Sequence, residues 1–89
     1  MVSATAVIID PTGLHLKPAA RLSQESQKFR STVTFTFGNT TANAKSVLSI
    51  LGSCVKCGDE IEIVCNGPDE EEALSHLLLV IKRGLGSDE

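Results

Sequence analysis

His15 stands in the segment Gly13-Leu14-His15-Leu16-Lys17-Pro18 and is the residue of this chain best placed to do chemistry. It follows a glycine-containing turn. The proline three positions on would break a helix interior but is tolerated in a first turn, whose N–H groups have no partner anyway. A helix is therefore expected to begin close to His15. The N–H groups of Leu16 and Lys17 would point outward there, and a helix N-terminus has the positive character that suits an anion. An imidazole at an anion site is a natural phosphoryl acceptor, because its neutral form is a nucleophile available near neutral pH. Lys17 would add a mobile positive charge. On spacing alone, an ordinary helix cap or surface histidine fits His15 equally well.

Other constellations carry less. Cys54-Val55-Lys56-Cys57 is a Cys-x2-Cys pair, but a zinc site needs two more ligands at suitable spacing. Cys65 falls in a strand with inward phase, so no metal site is expected, and loop or small apolar cysteines are the simpler reading. The segment GNTTANAKS, residues 38 to 46, ends in Lys-Ser like a P-loop. It fails as one because the spacing is too long and the second glycine is missing. His76 sits among leucines and reads as a helix-surface residue. The acids from Asp69 to Glu72 read as a helix N-terminus rather than a metal cage.

The elements that must position these residues follow from periodicity. Residues 2 to 9, VSATAVII, alternate as a strand, and Asp10-Pro11-Thr12-Gly13 is turn chemistry. Ala19, Leu22, Ser26 and Phe29 have helical spacing over residues 16 to 29. TVTFTF, residues 32 to 37, puts Val33, Phe35 and Phe37 on one face and three Thr on the other. That pattern signals an antiparallel sheet wet on one side. Gly38-Asn39 leads into a short polar strand at 40 to 44. Ser46 is a plausible N-cap for a short helix that ends at Gly52. Residues 60 to 66 alternate with Ile61, Ile63 and Cys65 inward. Asp69 with Glu72 has capping-box spacing before a helix whose last turn holds Lys82 and Arg83, with Gly84 as a stop. The fold class expected is α+β: an open-faced two-layer sandwich, one four-stranded antiparallel sheet covered on one face by three helices.

Composition bounds the function. The 89 residues allow one domain, 1–89, burying roughly 60–65% of the unfolded surface, too little for a deep substrate cavity. A net charge of −3 disfavours a nucleic-acid binder, as does the presence of only three Phe with no Tyr or Trp. Most of the Lys and Arg, including Lys17, Arg21, Lys28, Arg30, Lys45 and Lys56, precede residue 57, so one end of the domain is expected to be basic. Three cysteines are too few for a disulfide framework. No signal peptide is visible, and no apolar run approaches the ~20 residues of a membrane span. The expectation is a cytoplasmic protein with no direct membrane insertion.

The segment Gly13-Leu14-His15-Leu16-Lys17-Pro18-Ala19-Ala20 resembles the active-site segment of the HPr family, phosphocarriers of the sugar phosphotransferase system. The regulatory-serine segment is matched by Ala44-Lys45-Ser46-Val47-Leu48 through Leu51-Gly52. Gly67, Asp69-Glu70 and Ala73 match the opening of the family's last helix. Gly58, Ile61 and Leu85-Gly86 fit as well. The matches run in one register across the chain. The resemblance implies that His15 accepts a phosphoryl group on Nδ1 from Enzyme I, which draws it from phosphoenolpyruvate, and passes it to sugar-specific IIA domains. It implies phosphate stabilisation by Lys17 and by the backbone of Leu16 and Lys17. It implies modification of Ser46 by an HPr kinase/phosphorylase, and partner docking through Leu16, Val47, Leu48 and Leu51.

Two positions depart from the family's usual segment. Lys17 stands where arginine is usual, which replaces a planar bidentate fork with a point charge. Leu16 is bulkier than the usual residue. These departures keep open a regulatory relative of the same fold, working mainly through Ser46 and a catabolite-control transcription regulator. No cofactor is expected, nor any enzymatic activity of the chain on its own. A monomer is the default for a shuttle.

Overall fold

The computed structural model describes residues 1–86; residues 87–89, the end of the expected domain, lie outside the described residues. The elements run β1 (Val2–Val7), α1 (Leu16–Ser26), β2 (Thr32–Phe37), β3 (Thr40–Asn43), α2 (Val47–Gly52), β4 (Glu60–Asn66) and α3 (Glu70–Arg83). The four strands form one sheet in the order β1-β4-β2-β3, every neighbouring pair antiparallel. One row crosses the whole sheet: Ala4 opposite Ile63, Ile63 opposite Phe35, and Phe35 opposite Ala42. The period-2 pattern turns these residues toward the helices and leaves Thr32, Glu60 and Glu62 exposed on the other face. Phe35, Ile61, Ile63 and Cys65 pack with Ala19 and Leu22 of α1, Ile50 of α2, and Ala73, Leu77 and Ile81 of α3 in a single core. Burial pushes the Cys65 thiol pKa up, with the carboxylates of Glu70 and Asp69 adding to the effect.

The α+β open-faced sandwich expected from periodicity is the observed one. Three local readings change. Helix α1 stops at Ser26 rather than running to residue 29, because Lys28 and Phe29 donate to Glu25 and Ser26, three residues back, and tighten the chain into a turn. Asp69 precedes α3 but makes no side-chain cap, so the capping box with Glu72 does not form. Its carboxylate instead accepts the N–H groups of Arg30 and Ser31, both at 2.9 Å, and the Ser31 hydroxyl. Those three donors hold its pKa down to about 2. Glu70 takes over the loop before the helix, accepting the Gly67 N–H at 3.0 Å.

His76 is the third correction. It is a bridge between helices, not a free surface residue. Its Nε2 lies 2.6 Å from Glu25 Oε1, and its ring tilts against Phe29 at 5.5 Å between centroids. Glu25 is only 7% exposed. A carboxylate buried that far must be paired, and Arg21 and Lys28 complete the cluster at 2.9 and 3.0 Å. The hydrogen bond from His76, with Lys28 and Arg21 in support, outweighs burial and lowers the Glu25 pKa from 4.5 to about 2. The charged carboxylate therefore stabilises the fold above pH 4.5, and that contribution is lost as pH falls through the window down to about 2. Glu25→Gln is expected to cost on the order of 2 kcal/mol at pH 7. Thermal unfolding measured against pH should show a lower Tm at neutrality and a shallower acid slope between pH 4.5 and 2 than the parent. An unchanged acid slope would mean that Glu25 is not the titrating group.

Candidate functional site

The site is built where three loops meet. The Asp10 carbonyl accepts the Gly13 N–H at 2.8 Å, which closes the turn before α1. Gly13 has φ +71°, and a methyl group there would lie 2.5 Å from the Val55 carbonyl oxygen and 2.6 Å from Lys56 Cα. Only glycine satisfies both the left-handed backbone and that close approach. The Leu14 N–H then donates to Val55 at 3.0 Å, while the Leu14 side chain enters the core. The chain is thus held against the α2–β4 connection immediately before position 15.

His15 is the N-cap residue of α1, with extended backbone (φ −101°, ψ −165°), and its side chain makes no cap hydrogen bond. Its carbonyl accepts the Ala19 N–H at 2.8 Å, and Pro18 has no N–H to place. The first N–H groups of a helix point out along its axis, and here they belong to Leu16 and Lys17. The imidazole is exposed at the same helix end. It lines a shallow cleft of about 270 Å³ with Lys17, Asp10, Pro11, Thr12 and Gly86. An exposed nucleophile, outward N–H groups and a lysine therefore share one helix terminus, an arrangement able to take an anionic group.

Asp10 is a residue that sequence reasoning placed only in a turn. It is 5% exposed, and its carboxylate accepts the N–H groups of Leu85 at 3.2 Å and Gly86 at 2.8 Å. It ties the segment after α3 to the wall of the His15 cleft. Its partners lie 75 and 76 residues away, so no local pattern marked it.

Ser46 caps α2, its hydroxyl accepting the Ser49 N–H at 3.2 Å. Helices α1 and α2 are antiparallel neighbours. The Lys45 carbonyl accepts from Ser23 Oγ at 3.0 Å and Gln27 Nε2 at 3.1 Å, whereas Val55, beyond the other end of α2, meets Leu14. Ser46 therefore sits beside a point 8 to 12 residues along α1 from His15, roughly 12–18 Å at the helical rise. The structure does not bring Ser46 into the His15 cleft. Leu16 and Leu48 are 64% and 82% exposed, while Val47 and Leu51 are half-buried against the core. Leu48 and Leu51, one turn apart, thus divide between solvent and core. Cys54 and Cys57 are exposed loop residues, and Cys54 is the one described non-glycine residue with positive φ, +60°. Among the described residues no cluster of His, Cys, Asp and Glu is arranged to hold a metal. No helix of the described chain is long and apolar enough to cross a membrane.

Comparison with known proteins gives the family and the fold. The family profile described as the PTS HPr component phosphorylation site matches residues 2–83. The phosphocarrier protein HPr of Treponema pallidum is 36% identical over 75 residues, covering 84% of this chain and 85% of its own. The HPr-like protein Crh of Bacillus subtilis is 35% identical over 71 residues, covering 80% and 84%. The crystal structure of HPr-C-His from Thermoanaerobacter tengcongensis superposes with a TM-score of 0.93 at 35% identity, over 100% of both chains. Sequence, fold and the placement of His15 converge, and the chain belongs to the HPr family of phosphotransferase-system phosphocarriers.

Proposed function

We propose that this chain relays a phosphoryl group through His15, taking it from Enzyme I and giving it to IIA domains in phosphoenolpyruvate-dependent sugar uptake. The observation that carries the reading is the exposed His15 imidazole, uncommitted to capping, at the N-terminus of α1. Nδ1 attacks the phosphorus in line. The bond to the donor atom of Enzyme I breaks as the bond to Nδ1 forms, and the proton on Nε2 keeps the ring in the reactive tautomer. The N–H groups of Leu16 and Lys17 and the Lys17 ammonium stabilise the oxyanions of the transferring group. The exposed Leu16 and Leu48, flanked by Val47 and Leu51, form the docking surface for both partners.

Ser46 is the regulatory position in this reading, as substrate of an HPr kinase/phosphorylase. A phosphoryl group there adds about −1.5 to −2 charges. At 12–18 Å through solvent it lies beyond the Debye length of about 8 Å at physiological salt, so it acts weakly on His15 itself. Its effect falls on the adjoining docking surface, and recruitment of a transcription regulator would use that same charged face. The similarity to an HPr-like protein, Crh, supports a second reading in which this regulatory role dominates. The uncommitted His15 imidazole favours the relay.

Incubation with phosphoenolpyruvate and purified Enzyme I should add one acid-labile phosphoryl group, seen as intact mass, and His15→Ala should take up none. No gain under conditions that label an established phosphocarrier would sink the relay and turn attention to Ser46. In rapid-quench transfer assays Lys17→Ala should lower kcat/KM by roughly 10- to 100-fold. Lys17→Arg should match or exceed the parent, and equal rates for all three would remove Lys17 from the mechanism. Ser46→Asp should raise the KM for Enzyme I by about 10-fold and leave kcat nearly unchanged. A fall in kcat alone would contradict a docking effect.

A further inference from the structure

Cys54 and Cys57 bracket Val55 and Lys56, the piece of backbone on which Gly13 and Leu14 rest. Both thiols are exposed, while the remaining cysteine, Cys65, is buried in the core. The proposed relay uses neither of the exposed pair. Ile8 exchanges backbone hydrogen bonds with Gly58 and Asp59, and further along the Leu14 N–H donates to Val55 at 3.0 Å. The two stretches of chain therefore run antiparallel. Cys57 falls level with the turn after β1, and Cys54 falls level with His15 and the start of α1.

The sulfurs are turned to different carbonyls. Cys54 Sγ lies 3.7 Å from the Gly52 oxygen, and Cys57 Sγ lies 3.8 Å from the Ile9 oxygen. Cys54 also holds a left-handed backbone, φ +60°, which is uncommon for a residue with a Cβ. The residues between are committed elsewhere. The Val55 side chain is in the core and its carbonyl accepts Leu14, while the Lys56 N–H donates to Asp59 Oδ2 at 2.9 Å. Residues 54–56 lie in no helix, strand or turn. A disulfide needs the two Cβ atoms about 4 Å apart. Closing one here takes both sulfurs off their carbonyls and folds Val55 and Lys56 into a turn. The seat beneath Gly13 and Leu14 moves with them.

We propose that Cys54 and Cys57 form a dithiol modification site, oxidised by a small disulfide of the glutathione class, and that their disulfide unseats the His15 loop. One cysteine thiolate attacks the oxidant, whose S–S bond breaks and releases one thiol. The other cysteine thiolate then attacks the mixed disulfide at the protein sulfur, forming the Cys54–Cys57 bond and releasing the second thiol. The two cysteines give up two protons and two electrons, and the oxidant leaves as two thiols. A disulfide formed against native contacts is readily reduced, so the modification reverses. The resulting loss of phosphoryl transfer rests on the relay reading of His15; the release of the loop does not.

The full chain treated with oxidised glutathione and then freed of it tests the proposal. Intact mass should show the loss of two hydrogens, restored by a dithiol reductant. Far-UV circular dichroism should be retained, and the Leu14 amide should exchange with solvent at least about 10-fold faster. Cys54→Gly, which suits the positive φ, and Cys57→Ser should each stop at a persisting glutathione adduct. A parent chain that stops at such an adduct would overturn the proposal, as would a disulfide that leaves Leu14 exchange unchanged. The oxidised chain should accept the phosphoryl group from Enzyme I at least about 10-fold more slowly than the reduced chain. Equal rates for the two would also overturn the switch. A reduced chain that accepts none would end the relay reading instead, with mass and amide exchange still deciding the modification.

Discussion

The contact on which the site depends is between two pieces of backbone. Gly13 and Leu14 lie directly on the Val55–Lys56 segment, at a distance that admits no Cβ at position 13. Everything at the His15 cleft is referenced to that contact. It sets where α1 begins and which residue becomes the N-cap. It also points the free helix end outward while Leu14 anchors the loop in the core. Asp10 adds a second fix by holding the chain after α3 to the same turn. His15 stands on a fixed base yet keeps an exposed ring, as the proposed relay between two partners requires.

The rest of the molecule supplies that base by modest means. A core of aliphatic side chains and one fully buried phenylalanine joins the three helices to one sheet face. Polar connections do the indexing. Asp69 ties the start of α3 to the start of β2, Glu25 ties α1 to α3 through His76, and the Lys45 carbonyl ties α2 to α1. Each joins segments far apart in sequence, and the donors around Asp69 and Glu25 hold those two carboxyl groups well below the usual carboxylate range.

The strands, the three helices and the prominence of His15 were legible in the sequence because they rest on local signals. These are alternation in TVTFTF and EIEIVCN, the Lys17-Pro18 pair just inside a helix, and Ser46 and Gly84 as boundaries. What was not legible is where side chains find partners across the fold. Asp69 has the residue type of an N-cap, and three donors from Arg30 and Ser31, just before β2, engage its carboxylate in place of its own helix. His76 among leucines gives no hint of a glutamate 51 positions earlier. Asp10 read as turn chemistry and proved to be a buried clasp. The division of Val47 and Leu51 from Leu48 likewise depends on how α2 lies on the core, which spacing over six residues does not fix.

Ser46 offers a last consequence. Its oxygen already serves the helix by accepting from Ser49, and a phosphoryl oxygen would accept the same N–H with more negative charge at a helix start. Esterification there would leave α2 folded as it is, or hold it more firmly. The information written at Ser46 would be carried by electrostatic potential alone, legible to a visiting protein and silent in the shape of the carrier.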